Sequence, residues 1–229
     1  MIYNIAIDGP AGAGKSTIAR RVAKELSFIY VDTGAMYRAM ALYLIRKNVD
    51  RNNTEEIGEI CQNAEISIEY KAGEQIVLLN GENVNAFLRT EEVGNMASVS
   101  SAVPRVREKL LSLQRKLASD MSVVMDGRDI GTTILPDADV KIYLTASSLT
   151  RARRRCLELQ EKGTVCNLEE IQKDIEERDR RDMNREISPL RQAEDAVLVD
   201  SSDMTIQEVV DRILEIFRNT ANEVDSHES

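Results

Sequence analysis

The stretch that decides the fold is Gly9-Pro10-Ala11-Gly12-Ala13-Gly14-Lys15-Ser16, close to the amino terminus. It fits the pattern of the phosphate-binding P-loop, in which spaced glycines precede a Lys-Ser pair. The apolar residues 2–7 before it predict a strand, and apolar residues recur at helical spacing over 18–26 after it. Strand, glycine loop and helix is the context that a P-loop requires, although a plain glycine-rich turn remains the alternative.

The residue types of this loop suit a polyphosphate ligand. Small residues let backbone N–H groups approach phosphate oxygens closely, and the helix amino terminus adds partial positive charge. The Lys15 ammonium is expected against the outer phosphates, and the Ser16 hydroxyl is expected to bind Mg²⁺. The loop therefore predicts a triphosphate and Mg²⁺.

Composition limits the possible partners. The chain has 229 residues, a formal net charge of −9 and 42% hydrophobic residues, enough for one α/β core. The acidic balance argues against nucleic acid or an anionic membrane as a partner. Neither a leader-like start nor an apolar run of bilayer length occurs, so we predict a cytoplasmic protein, most simply a monomer.

Cysteine and histidine usage narrows the chemistry. Cys61, Cys156 and Cys166 have no close partner in sequence, so we expect reduced, packed thiols. The single histidine is His227, in an acidic tail that we expect to be disordered. A mechanism that needs a histidine base is thereby excluded, whereas phosphoryl transfer to an ionised acceptor works by positioning and charge.

Short apolar segments separated by long amphipathic ones predict the fold. Five strands, at residues 2–7, 28–31, 122–125, 140–144 and 197–199, alternate with helices, which is typical of a parallel sheet flanked by helices. Residues 66–81 break the alternation with period-two patterning around glycine turns, and predict a small antiparallel insertion. We interpret this insertion as a cover over a site, with a decorative hairpin as the alternative.

Acidic and basic residues mark a second anion site. Asp126-Gly127-Arg128-Asp129 follows a predicted strand, at the edge of the sheet where ligands gather in α/β folds. There Asp126 can act on Mg²⁺ or its waters, Arg128 can hold phosphate, and Asp129 can accept from an amino group or cap a helix. The segment 32–38 also follows a strand, and it offers a hydroxyl and Arg38.

Arginines cluster further along the chain, at 151–155 and at 178–185. In a helix that starts after Asn167, the side chains of Arg178, Arg181, Asp182 and Arg185 share one face, continuous with an apolar stripe. Arginine grips phosphate oxygens in pairs, so we favour a binding site over a solvated salt-bridge ladder.

Taken in order, these segments resemble the bacterial cytidylate kinases over nearly the whole chain. The resemblance implies one P-loop kinase domain over 1–220, with a monophosphate-binding insertion at about 60–103 and a lid at about 151–167. Residues 221–229 form the predicted disordered tail. The resemblance also implies transfer of the terminal phosphoryl group of ATP to CMP, and to dCMP.

The resemblance carries roles onto particular residues. ATP is expected on Gly9, Pro10, Ala11, Gly12, Ala13, Gly14, Lys15, Ser16 and Thr17, with Arg154 near its adenine and Ser16 and Asp126 on Mg²⁺. The acceptor is expected on Thr33, Tyr37, Arg38, Ser98, Arg107, Asp126, Gly127, Arg128, Asp129, Arg178, Asp182 and Arg185. Of these, Ser98, Arg107 and Asp129 would contact cytosine. The groups expected to stabilise the transferred phosphoryl are Lys15, Arg128, Arg178, Arg181 and Arg185.

Two alternatives remain open on the sequence alone. A P-loop kinase for another nucleotide or a hydroxylated metabolite would share the first motif. A nucleotide-dependent switch such as a GTPase would share it too, but the chain has no Asn-Lys-x-Asp segment to read guanine, and a switch needs no second arginine-lined phosphate site.

Overall fold

A computed structural model describes residues 1–161 and 163–227. Eight strands and eight α-helices are assigned within them. The strands are β1 (Asn4–Asp8), β2 (Ile29–Asp32), β3 (Ile66–Lys71), β4 (Glu74–Leu79), β5 (Glu82–Asn83), β6 (Val123–Gly127), β7 (Val140–Thr145) and β8 (Val197–Asp200). The helices are α1 (Lys15–Leu26), α2 (Thr33–Arg46), α3 (Thr54–Ile60), α4 (Glu91–Ser100), α5 (Pro104–Asp120), α6 (Ser148–Glu161), α7 (Leu168–Met183) and α8 (Ile206–His227).

The larger sheet confirms the predicted α/β architecture. Its five strands lie in the order β2-β6-β1-β7-β8, and β7 pairs in parallel with both β1 and β8. The smaller sheet is antiparallel, in the order β3-β4-β5; β3 and β4 lie within the predicted insertion at 66–81, and β5 follows directly after it. Among the described residues, no helix has the length and apolar character needed to cross a membrane.

The chain divides into two compact units, one of residues 1, 3–28 and 124–229 and the other of residues 2 and 29–123. In the first unit, the fully buried side chains of Ile5, Ile7, Ile142 and Leu144 come from paired strands. In the second unit, Met36, Met40 and Leu44 are buried along α2 at helical spacing.

Local capping explains several helix starts. Asn167 accepts the backbone N–H groups of Glu169 and Glu170 at the start of α7. Thr205 and Glu208 form the reciprocal capping box predicted at the start of α8. These starts follow from residues within one turn, which is why the sequence predicts them.

Two of the cysteines differ from the expectation, and the backbone of α8 extends into the segment predicted to be disordered. The backbone of α8 continues to His227, past the predicted start of disorder at residue 221, because no glycine or proline interrupts the helical sequence there. Glu228 and Ser229 lie outside the described residues. Cys61 is a buried free thiol as expected, but Cys156 and Cys166 form a disulfide.

The disulfide forms because the chain reverses direction after α6. The backbone N–H groups of Gly163 and Thr164 donate to the carbonyls of Gln160 and Leu159. Gly163 has a φ of 75°, which favours glycine. This reversal returns the chain to α6, a proximity that linear spacing alone does not reveal.

Candidate active site

The P-loop joins β1 to α1 and has the backbone that its glycines allow. Gly9 has a φ of 149°, and a Cβ atom there would lie 1.9 Å from the Leu144 carbonyl oxygen. Gly12 and Gly14 also have positive φ values, 75° and 87°. A side chain at Gly9 would therefore collide with the neighbouring strand, so the loop depends on glycine at this position.

Lys15 lies buried at the start of α1, where its ammonium donates to the Pro10 carbonyl at 2.7 Å. Burial lowers the pKa of Lys15 well below its usual value, and the positive charge of Arg128 acts in the same direction. The carboxylates of Asp126 and Asp8 oppose this shift. The lysine thus lies among both cationic and anionic groups, as expected where phosphate charge is handled.

The two residues predicted to hold Mg²⁺ lie together. The Ser16 hydroxyl donates to Asp126 Oδ2 at 2.9 Å, although the residues are 110 positions apart in sequence. Within the described residues, no group of three or more His, Cys, Asp or Glu side chains is arranged to hold a metal. A hydroxyl and one carboxylate fit Mg²⁺, which takes few protein oxygens and completes its shell with waters and substrate phosphates.

Arg128 and Asp182 form a partly buried ion pair, with Arg128 Nε 2.9 Å from Asp182 Oδ2. Burial acts to raise the pKa of Asp182, but the positive charges of Arg128, Arg185 and Arg178 outweigh it and lower that pKa. These residues were predicted from separate segments, and the structure brings their charges close enough to interact.

The predicted helical face of α7 is wrong in part. The helix ends at Met183 with Asn184 as its cap, so Arg185 lies beyond it, and the Arg181 side chain is exposed. The buried residues of α7 are Asp179 and Asp182. Extending the helical period past residue 183 produced the error, because nothing in the local pattern fixes where the helix ends.

Arg151 is a functional candidate that the sequence did not single out from its cluster. Its side chain is only 6% exposed, and it pairs with Asp179 Oδ2 at 2.6 Å. It also donates to the carbonyls of Ala11, in the P-loop, and Ala146, each at 2.9 Å. Arg154, predicted near the adenine, donates to the backbone and hydroxyl oxygens of Ser201.

The second unit holds its own set of predicted residues. The guanidinium of Arg107 lies 5.6 Å from the centre of the Tyr37 ring and donates to the Ser101 carbonyl. Thr33 is buried at the start of α2, and Arg38 and Ser98 are partly exposed. A Cβ atom on Gly34 would lie 3.2 Å from Arg38 Nη1, so the guanidinium lies against the backbone of that turn.

Gln75 is a further residue that the sequence analysis missed. From β4 it accepts the backbone N–H of Asp32 at 2.9 Å and donates to the Asp32 carbonyl at 3.2 Å. The antiparallel insertion therefore holds the end of β2, immediately before Thr33. This contact argues against a purely decorative hairpin.

Comparison with known proteins identifies the family of the chain. The family model described as Cytidylate kinase matches residues 5–219. A cytidylate kinase of Caldicellulosiruptor saccharolyticus is 51% identical over 93% of this chain and 95% of its own length. One of Desulfitobacterium hafniense is 52% identical over 94% of this chain and 92% of its own.

A solved structure supports the fold only. An uncharacterized protein from Eubacterium ventriosum aligns with a TM-score of 0.50 at 12% identity, over 93% of this chain and 97% of that one. With the family match and half-identical relatives over most of the length, the chain belongs to the cytidylate kinase family, a family of nucleoside monophosphate kinases.

Proposed function

We propose that this chain transfers the terminal phosphoryl group of ATP to CMP, and also to dCMP, forming ADP and CDP or dCDP. The observation that carries the proposal is the 2.9 Å contact between Ser16 and Asp126, beside the buried Lys15. The relatives named cytidylate kinase, about half identical to this chain, support CMP as the acceptor.

The donor is proposed to bind through the P-loop. Backbone N–H groups over residues 9–17 would surround the phosphates, with Lys15 neutralising charge on the transferred group. Lys15 can exchange its contact with the Pro10 carbonyl for phosphate oxygens. Arg154 would reach the adenine from α6, and Ser16 with Asp126 would hold Mg²⁺, which supplies charge neutralisation at the phosphates.

The acceptor phosphate is proposed to bind arginines. In the first unit these are Arg128 and Arg185. Arg178 and Asp182 would hold the ribose region of the acceptor. In the second unit, the residues proposed to contact the acceptor are Thr33, Tyr37 and Arg38. The Arg128–Asp182 pair supports this role, because it fixes the guanidinium in one orientation. Arg178, Arg181 and Arg185 would then stabilise the charge of the transferred phosphoryl group.

Base selection is proposed to rest on Ser98, Arg107 and Asp129. A carboxylate accepts from the N4 amino group of cytosine, and an arginine donates to the acceptor edge of the ring. Asp129 is only 3% exposed. Its interactions are therefore shielded from water, which strengthens discrimination between cytosine and uracil. Uracil would present a carbonyl oxygen to the same carboxylate.

The finer organisation remains part of the proposal. It comprises a monophosphate-binding insertion at about 60–103, a lid at about 151–167, a monomeric state, a cytoplasmic location and no nucleic-acid partner. The net charge of −9 supports the last point.

The test measures ADP release from MgATP with and without CMP. We expect CMP-dependent ADP formation by the unaltered chain. Lys15→Met should lower kcat by at least about a hundredfold with little change in CMP binding by calorimetry. Lys24→Met is the matched control, because Lys24 is an exposed lysine of the same helix. Equal loss of turnover and CMP binding in Lys15→Met would contradict the role of Lys15.

A further inference from the structure

Asp8 is a buried carboxylate to which the proposed reaction assigns no role. It ends β1, immediately before Gly9 of the P-loop, and is only 5% exposed. Its Oδ1 accepts the backbone N–H of Ile130 at 2.8 Å, and its Oδ2 accepts that of Gly131 at 2.7 Å. One side chain thus joins the P-loop strand to backbone more than 120 residues away.

The backbone that Asp8 holds continues directly from the proposed acceptor residues. Strand β6 ends at Gly127, Arg128 and Asp129 follow, and a short helical turn begins at Ile130. The two N–H groups bound by Asp8 are therefore the first two after Asp129. Fixing them fixes the direction in which the Arg128–Asp129 segment leaves the sheet.

Gly131 is confined chiefly by the Lys141 side chain. A Cβ atom at this position would lie 3.5 Å from Asp8 Oδ2 and 3.2 Å from the Lys141 Cδ atom. The Lys141 ammonium is itself held by Asp195 and the Pro136 carbonyl, so the lysine stem has little room to move. A side chain at residue 131 would therefore press against the Lys141 stem, beside the second hydrogen bond.

The charges around Asp8 make a carboxylate costly here. Burial raises the pKa of Asp8 to about 6, the two backbone N–H groups and Lys15 act to lower it, and Asp129 acts to raise it. From β7, Tyr143 lies opposite Asp8 in the strand register, and Lys141 lies beside Gly131. The two backbone N–H groups offset part of this cost, because each one satisfies an oxygen of the buried carboxylate.

We propose that Asp8 is a positioning residue for acceptor recognition, whose two-oxygen contact with the backbone of Ile130 and Gly131 holds Arg128 and Asp129 in their binding orientation. This inference rests on the proposed role of Arg128 and Asp129 in binding CMP. Asp8 itself touches neither nucleotide in this account. An asparagine would keep one acceptor oxygen and turn an amino group toward the other N–H.

The main test compares Asp8→Asn with Asp139→Asn. Asp139 is the matched control, because it accepts the backbone N–H of Asn4 at the other end of β1, in an exposed position. We expect Asp8→Asn to raise KM for CMP about tenfold and to reduce the preference for CMP over UMP, with KM for ATP changed less than about twofold. Asp139→Asn should change neither KM.

Gly131→Ala provides a second variant that keeps the carboxylate but crowds the backbone of the second hydrogen bond against the Lys141 stem. It should raise KM for CMP in the same direction as Asp8→Asn. Hydrogen exchange at the Ile130 and Gly131 amides should accelerate in both variants, and this readout needs no turnover. If Asp8→Asn fails to fold, Gly131→Ala still decides the question through KM for CMP and amide exchange.

The pH profile separates positioning from a purely structural role. The ratio of KM for CMP in Asp8→Asn to that in the unaltered chain cancels the titration of CMP itself. We expect this ratio to be constant above about pH 7 and to fall toward one below pH 6, where the unaltered chain protonates Asp8 and loses one acceptor.

Three results would overturn the inference. They are a pH-independent ratio, a rise in KM for ATP without one for CMP, and unchanged amide exchange in Asp8→Asn. Failure of the proposed function is a different result, namely no CMP-dependent ADP formation by the unaltered chain, and amide exchange would still report on the contact.

Discussion

Replacing Arg151 by methionine should be among the most damaging changes outside the P-loop. The Arg151–Asp179 pair is 2.6 Å long, with side chains 6% and 12% exposed. At an effective dielectric near 20, its gross Coulomb attraction is about 6 kcal/mol. Removing the arginine leaves the Asp179 carboxylate buried without its partner, which typically costs about 3–5 kcal/mol. That is a large share of the roughly 5–15 kcal/mol that stabilises a domain.

Urea unfolding followed by circular dichroism measures this effect, since the chain has no tryptophan. Arg155→Met is the matched control in the same helix. Its pair with Glu158 is 3.0 Å long but more than half exposed, so it should cost less than about 1 kcal/mol. Adding Asp179→Leu to Arg151→Met should recover about 1–3 kcal/mol, because the stranded charge is removed.

The same variant has a functional readout. Arg151 donates to the Ala11 carbonyl of the P-loop, so Arg151→Met should raise KM for ATP more than KM for CMP. A free energy of unfolding within about 1 kcal/mol of that of Arg155→Met would refute the assignment of Arg151 as a structural link.

Three further predictions follow from the same geometry. Asp129→Ala should lower the kcat/KM preference for CMP over UMP by about 5- to 150-fold. An unchanged preference would show that Asp129 does not contact the base. Since neighbouring arginines lower the pKa of Asp182, its stabilisation is present above its unfolded pKa of about 3.8 and is lost as pH falls through the lower folded value. Below about pH 4 the unaltered chain should therefore lose unfolding free energy more steeply than Asp182→Asn; parallel curves would contradict this. Reducing the disulfide, which spans a sequence separation of 10, should lower the free energy of unfolding by about 2–3 kcal/mol, whereas a Cys156→Ser, Cys166→Ser double variant should not respond to reductant.

Sequence patterns predicted the features that depend on near neighbours. The alternation of short apolar strands with amphipathic helices predicts the sheet, and Asn167 predicts the start of α7 because its cap forms within one turn. The glycine spacing of the P-loop predicts its course, since positive φ values are local properties of the backbone.

Features that depend on tertiary proximity were missed. Asp179 stands among acidic residues of α7 and gives no local sign that it pairs with Arg151. Asp8 reaches backbone 122 residues away, and the Cys156–Cys166 disulfide needs the reversal after α6. The interpretation of α7 as carrying Arg185 also failed, because a periodic pattern does not show where its helix ends.

The candidate site falls between these two cases. Ser16 and Asp126 were each predicted from their own motif, but only the fold brings them within 2.9 Å of each other. The assignment of Asp129 and Arg107 to the base came from family resemblance, and it stays a prediction.

The most direct test of the central claim is an initial-rate screen of nucleoside monophosphates with MgATP. The account predicts that CMP and dCMP give the highest kcat/KM, and that UMP is slower because it presents a carbonyl oxygen to Asp129. Faster turnover of AMP, GMP or a hydroxylated metabolite, or no ADP formation with CMP, would contradict it.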